Sequence, residues 1–328
     1  MARTAEASRT RRDAARPGPL AHARHGVFGF MMGAADLVPG VSGGTVALVC
    51  GIYVRLVDAI RDAAYAAAAL LRGRIHEALD RLKRLDWALL VPLLAGIGLA
   101  VVSLAAVIEH LLDEEPVRLA GLFLGLVLGS VVVAWRLIQR IDAVAVLSAG
   151  AVAIALFVLL GLREETTAEA ANAAAAPVWA YPVSASLAIC AMILPGISGS
   201  LLLVILGMYA HVLAAVTDRD FGLLLLFVAG AAVGLGLFSR LLAWLLANHH
   251  DRVIAAMIGL MIGSLRVLWP WPGGTSTTDL AWPRGDVVAP VLLALAGFVV
   301  VVVIGRLGAL KEEPVPGHAE SPGSPGES

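Results

Sequence analysis

Two short stretches place proline, glycine and hydroxyl side chains in the middle of apolar chain: Pro39-Gly40-Val41-Ser42-Gly43-Gly44-Thr45 and Pro195-Gly196-Ile197-Ser198-Gly199-Ser200. Proline ends a helix, because it lacks the amide donor and its ring clashes with the preceding turn. The glycines let the backbone turn and come close to a ligand. A helix restarting at Ser42 or Ser198 presents free N–H groups and a partial positive charge, a natural seat for an anion. Ser42, Thr45, Ser198 and Ser200 add hydroxyl donors. Two such ends meeting can hold one phosphate or carboxylate. The plainer alternative, two kinks between packed helices, is weakened because the pattern occurs twice.

Two further residues are candidates. Arg240 sits inside an apolar stretch, where an arginine is costly. It either binds the anion or reaches back to the interface along its own stem. Asp36 stands just before the first break, with Met192 at the matching place before the second. It is either a proton or cation site, and so a coupling-ion candidate, or a cap for nearby backbone N–H groups. Glu109 and His110 fall near a helix end and read as interfacial. Cys50 and Cys190 occupy unmatched positions in apolar segments and read as small buried side chains. No metal ligand set and no cofactor motif is present.

The elements that must position these residues follow from composition. The chain has 328 residues, 59% hydrophobic and 15% charged, with mean hydropathy +0.86. Soluble domains carry roughly 25% charged residues, so this is an integral membrane protein. Basic residues flank apolar spans rather than line a soluble face, which argues against nucleic acid. Stretches 87–112, 117–138, 144–162, 221–247, 253–269 and 287–307 approach or exceed the roughly 20 apolar residues that cross a bilayer.

Charge sets the topology. Arg3, Arg9, Arg11, Arg12, Arg16 and Arg24 precede the first broken segment, and Arg61, Arg72, Arg74, Arg81, Lys83 and Arg84 follow it. Both flanks therefore belong in the cytoplasm, and the segment must enter and leave on one side. A re-entrant hairpin, or two full crossings, does this. Asp113, Glu114 and Glu115, then Glu164, Glu165 and Glu169, mark outer ends. Both termini come out cytoplasmic, in a multi-pass protein of the cytoplasmic membrane.

Duplication extends beyond the breaks. Asp86-Trp87 through Gly129-Ser130 aligns without gaps on Asp220-Phe221 through Gly263-Ser264. The expected fold is an all-α integral membrane protein with an inverted repeat, each half a re-entrant helical hairpin plus three transmembrane helices. Such repeats suit secondary transporters with a site at the repeat interface. The expected divisions are a disordered basic tail (1–25), a first repeat (26–162), an inverted second repeat (178–307) and a disordered tail (311–328). A cleaved signal peptide is the less favoured reading of the N-terminus. The insert 61–85 carries Ile75, Leu79, Leu82 and Leu85 on one helical face. It reads as an amphipathic helix on the anionic leaflet, or as a solvated helix.

Lipid-phosphatase, zinc-protease and P-loop signatures are absent, so no enzyme activity is expected. GFMMGAADLVPGVSGGT with ALVCGIYVRLVDAI, and AMILPGISGSLLLVILGMY in the second half, resemble the polyprenyl-phosphate transporter family. The resemblance covers roughly residues 24–308. It implies translocation of an undecaprenyl-phosphate-type lipid carrier back to the cytoplasmic leaflet for cell-envelope synthesis. It also implies a site at Asp36, Pro39, Gly40, Ser42, Gly43, Gly44, Thr45, Pro195, Gly196, Ser198, Gly199 and Ser200. The expected mechanism is alternating access at the paired tips, with protons or sodium as the coupling ion. A carrier of a small soluble anion, and a channel-like or structural protein, are the competing classes.

Overall fold

A computed structural model describes residues 19–37, 42–161, 176–274, 277 and 279–309. These form twelve helices: α1 (Pro19–Asp36), α2 (Gly43–Val49), α3 (Tyr53–Leu71), α4 (Ile75–Arg84), α5 (Trp87–Glu114), α6 (Pro116–Trp135), α7 (Ala143–Gly161), α8 (Ala180–Ile193), α9 (Gly199–Ile205), α10 (Tyr209–Thr217), α11 (Phe221–Ser264) and α12 (Val288–Ala309). No strand occurs among the described residues. Helices α5, α6, α7, α11 and α12 are long and apolar enough to cross a membrane. The protein is an all-α, multi-pass membrane protein.

Three expectations need correction. The chain is already helical from Pro19, inside the stretch 1–25 read as a disordered tail. Ala21 and Ala23 favour helix, and His25 is buried with its ring Nδ1 3.0 Å from the Ala88 carbonyl. The insert expected at 61–85 has no boundary at its start, because α3 runs through Arg61 to Leu71. The spans 221–247 and 253–269 belong to one 44-residue helix, α11, broken only at His249 (φ −138°, ψ 40°). No proline or glycine separates the two limbs, so a single residue makes the bend. The tail 311–328 lies outside the described residues.

Packing relies on glycines that let helix backbones touch. A side chain at Gly96 of α5 would strike the Gly26 carbonyl of α1, and one at Gly230 of α11 would strike the Pro182 carbonyl of α8. Those are matched positions in the two halves. The N-caps of the two long helices match as well: Asp86 accepts from Leu89 N at 3.1 Å and Asp220 from Leu223 N at 3.0 Å. The middle helices make a crossed pairing. Gly125 and Gly129 of α6 lie on Ala294 and Phe298 of α12, whereas Gly259 and Gly263 of α11 lie on Ala149 and Ala153 of α7. Each half thus packs its middle helix on the last helix of the other half. In every pair the residue numbers rise together, so the paired helices run parallel.

Matched ionic contacts accompany this crossing. Arg118 at the start of α6 pairs with Asp286 before α12 (3.1 Å), and Arg252 pairs with Asp142 before α7 (3.5 Å). The Ala289 N–H and the Arg118 guanidinium hold the Asp286 carboxyl below the usual carboxylate range. Asp251 accepts from the backbone N–H groups of Gln139 and Arg140, both at 3.0 Å, tying the α6–α7 turn to the bend in α11.

Gly125→Val and Gly259→Val should each destabilise the purified protein by about 1–3 kcal/mol through overpacking. Gly98→Val, where an added Cβ meets nothing within 4 Å, should leave stability near wild type. Thermal unfolding in detergent measures all three.

Candidate functional site

Both hairpins turn by the same local rules. Ser42 and Ser198 hold extended backbone (φ −132° and −90°) and precede the seven-residue helices α2 and α9. After each helix a glycine with φ near +70°, Gly51 or Gly207, reverses the chain. Ile52 N then bonds Ala47 O at 3.0 Å, and Met208 N bonds Leu203 O at 2.8 Å. Helices α3 and α10 leave from there. Gly196, with φ +90°, sits so close to α11 that a Cβ would lie 2.7 Å from Met261 N.

The two tips meet. Helix α8 ends at Ile193 before Pro195, which leaves its last carbonyls without helical donors. The first hairpin supplies them. The Ser42 hydroxyl lies 3.2 Å from Met192 O and 3.3 Å from Leu194 O, its single proton shared between them. The Tyr53 hydroxyl donates to Ile193 O at 3.1 Å. In return, Gly196 N donates to Thr45 Oγ1 at 3.1 Å. A side chain at Gly44 would come within 2.6 Å of Ile193 O, so the close approach requires glycine there. Ser42, Thr45, Ser198, Gly43, Gly44, Gly199, Pro195 and Gly196 are all buried.

The tips are not equivalent in their partners. At the first, the Asp36 carboxylate accepts from Gly43 N at 2.6 Å, and Ser42 Oγ accepts from Gly44 N at 3.1 Å. The protein's own carboxylate thus occupies the place where an external anion would bind. At the second, the matching position is Met192, and Ser198 Oγ lies 2.7 Å from Ser200 Oγ with no bond to the α9 backbone. Tyr53 is 2% exposed, whereas its counterpart Tyr209 is 46% exposed.

The sequence-derived candidates divide accordingly. Asp36, Ser42, Gly43, Gly44 and Thr45 of the first tip and Pro195, Gly196, Ser198, Gly199 and Ser200 of the second lie at or beside the junction. Pro39 and Gly40 lie outside the described residues. Arg240 is exposed and its guanidinium stands 5.6 Å from the centre of the Tyr65 ring, so its described contact is with α3 rather than a tip. Tyr53 joins these candidates at the junction, and the repeat aligns it with Tyr209. The carbonyls of residues 192–194 have no side-chain signature. Among the described residues no group of three His, Cys, Asp or Glu side chains could hold a metal.

Comparison with known proteins agrees with the resemblance. Residues 32–282 match the family described as undecaprenyl phosphate translocase-like. A polyprenyl-phosphate transporter of Vibrio cholerae is 39% identical over 250 residues, covering 74% of this chain and 76% of that protein. A polyprenyl-phosphate transporter of Staphylococcus aureus is 28% identical over 295 residues, covering 87% and 96%. No solved structure matches the chain.

Tyr53→Phe should lower stability by about 1 kcal/mol, the net worth of one hydrogen bond, and more if Ile193 O is left unsatisfied. Tyr209→Phe should change it by a few tenths at most, because that ring is half exposed. Paired thermal melts in detergent read the difference.

Proposed function

Because this chain belongs to the undecaprenyl phosphate translocase-like family, we infer that it moves a polyprenyl phosphate across the cytoplasmic membrane, passing the headgroup between the two hairpin tips. The observation that carries this reading is the unequal environment of matched residues. Ser42 and Tyr53 are locked onto the end of α8, while Ser198 and Tyr209 make no such bonds among the described residues. A protein built from two inverted halves reaches its opposite-facing state by exchanging the conformations of those halves. In that state Ser198 and Tyr209 take the locked role on the end of α1, and the first tip is released. The parallel helix pairs and the crossed α6–α12 and α11–α7 packing support this arrangement.

The tip chemistry suits a phosphate headgroup. The second tip offers Ser198 and Ser200 hydroxyls and the amide groups that begin α9, with no internal carboxylate nearby in sequence. At the first tip the phosphate competes with Asp36 for Gly43 N. Protonation of Asp36, or a sodium ion held by it, would weaken that bond, which makes Asp36 the candidate coupling-ion site. The prenyl tail stays in the bilayer while the headgroup crosses. Basic flanks support cytoplasmic termini, and the transport direction that would serve cell-envelope synthesis is return of the carrier to that side.

Purified protein in liposomes should move fluorescent polyprenyl phosphate between a quencher-exposed and a protected leaflet. Ser42→Ala/Ser198→Ala should slow this at least about tenfold, as loss of one or two hydrogen bonds to a charged group predicts. Asp36→Asn should remove any response to a proton gradient. The reading fails if folded protein moves inorganic phosphate but leaves the lipid where it was, or if the double variant transports at the wild-type rate.

A further inference from the structure

A second cluster lies apart from the tips, where α3, α4 and α11 come together. The Arg240 guanidinium of α11 and the Arg81 guanidinium of α4 both stand on the Tyr65 ring of α3, at 5.6 and 5.3 Å from its centre. Arg81 shares one carboxylate, Glu77, with Arg74 (both 3.0 Å). Arg240 makes no ion pair among the described residues. Two arginines therefore stand at one aromatic ring, and only Arg81 of the two has a carboxylate partner, which leaves a positive charge that suits an external anion. The neighbouring acidic residues do not neutralise it, since Asp58 and Asp62 both pair with Arg61. Over residues 53–85 seven Lys and Arg stand against four Asp and Glu.

The depth of this cluster identifies the anion. Arg240 follows exposed Phe221 by about 28 Å of helix at 1.5 Å per residue, close to the roughly 30 Å thickness of the hydrocarbon layer. One turn beyond it, Trp244 is exposed, as is Trp87 at the start of α5. Exposed tryptophans at helix ends mark the level of lipid headgroups. Trp87 also fixes α4 at this level, donating its indole N–H to Leu82 O at 2.7 Å. Along α4, Ile75, Leu79 and Leu82 share one face and are 56%, 47% and 36% exposed, so the described chain leaves this apolar face partly open. A helix that is apolar on one side and arginine-rich elsewhere, at headgroup depth, fits the surface of an anionic leaflet.

We propose that the α3–α4 unit with Arg240 is a binding site for the phosphate headgroup of an anionic bilayer phospholipid. The phosphate sits between the Arg240 and Arg81 guanidinium groups beside Tyr65, and Ile75, Leu79 and Leu82 enter the acyl layer. Arginine suits the task because its planar donors pair with phosphate in two-point contact while its face stacks on an aromatic ring. This site does not depend on the transport reading of the tips, and a failure of either leaves the other standing.

The test is native mass spectrometry of the delipidated full-length protein, titrated with dioleoyl phosphatidylglycerol and, separately, dioleoyl phosphatidylcholine. The anionic lipid should bind at least about tenfold more tightly. Arg240→Gln and Arg81→Gln should each weaken it about fivefold, as expected for one basic residue at a charged leaflet. Arg240→Lys should keep most of the preference, and Arg284→Gln in the loop before α12 should keep all of it. If Arg240→Gln does not fold, Arg81→Gln and Arg240→Lys carry the comparison. Equal binding of the two lipids overturns the proposal, as does an anionic preference untouched by both glutamine variants. Polyprenyl phosphate displacing the phospholipid from this cluster at equimolar concentration would also overturn it, assigning the site to the transported lipid.

Discussion

Backbone that leaves the helical conformation inside an apolar layer must still satisfy its N–H and C=O groups, because lipid offers them no partner. Everything distinctive in this protein follows from where that requirement is met. The chain breaks twice, and each break frees polar groups at depth. The first hairpin satisfies the second: Ser42 and Tyr53 donate to the carbonyls of Met192, Ile193 and Leu194, and Thr45 accepts from Gly196 N. These bonds hold the tips together, and they are also the bonds that must break for anything to pass between them. Asp36 completes the arrangement by capping α2 from within the chain. On the proposed route, stability and transport would draw on the same few donors and acceptors.

The surrounding helices make such an exchange feasible. Helices pressed together at glycine contacts, with no bulky side chains to unlock, tolerate small rotations and slides better than deeply interdigitated ones. Crossed packing of each middle helix on the other half's last helix joins the halves into one body. The bend at His249, in a helix that otherwise runs on for 44 residues, keeps the second half's first two crossings in one continuous element.

Much of this was legible in the sequence, for identifiable reasons. Proline and glycine punctuate apolar chain unmistakably, so the breaks and their duplication stood out. Charge at span ends supplied an expected sidedness, because basic residues avoid the outer side. Other features were hidden. Near the start of α1, His25 meets the Ala88 carbonyl, a contact between distant residues that sequence does not display. The continuity of α11 through Asn248-His249-His250-Asp251 could not be read from polar residues that usually mark a loop. Arg240 stood between binding the tip anion and reaching the interface because its depth was visible and its neighbour was not; Tyr65 lies far away in sequence. The role of Tyr53 needed the Ile193 carbonyl opposite it, and backbone acceptors leave no trace in a side-chain pattern.

The most direct measurement is a cryo-electron-microscopy structure of the protein in a lipid nanodisc with polyprenyl phosphate bound. Transport through the tips predicts a phosphate between them, within hydrogen-bond distance of Ser198 and the start of α9. It further predicts Asp36 turned away from Gly43 and at least one of the Ser42 and Tyr53 bonds to α8 broken. A headgroup bound elsewhere, with those bonds and the Asp36 cap intact, would contradict it.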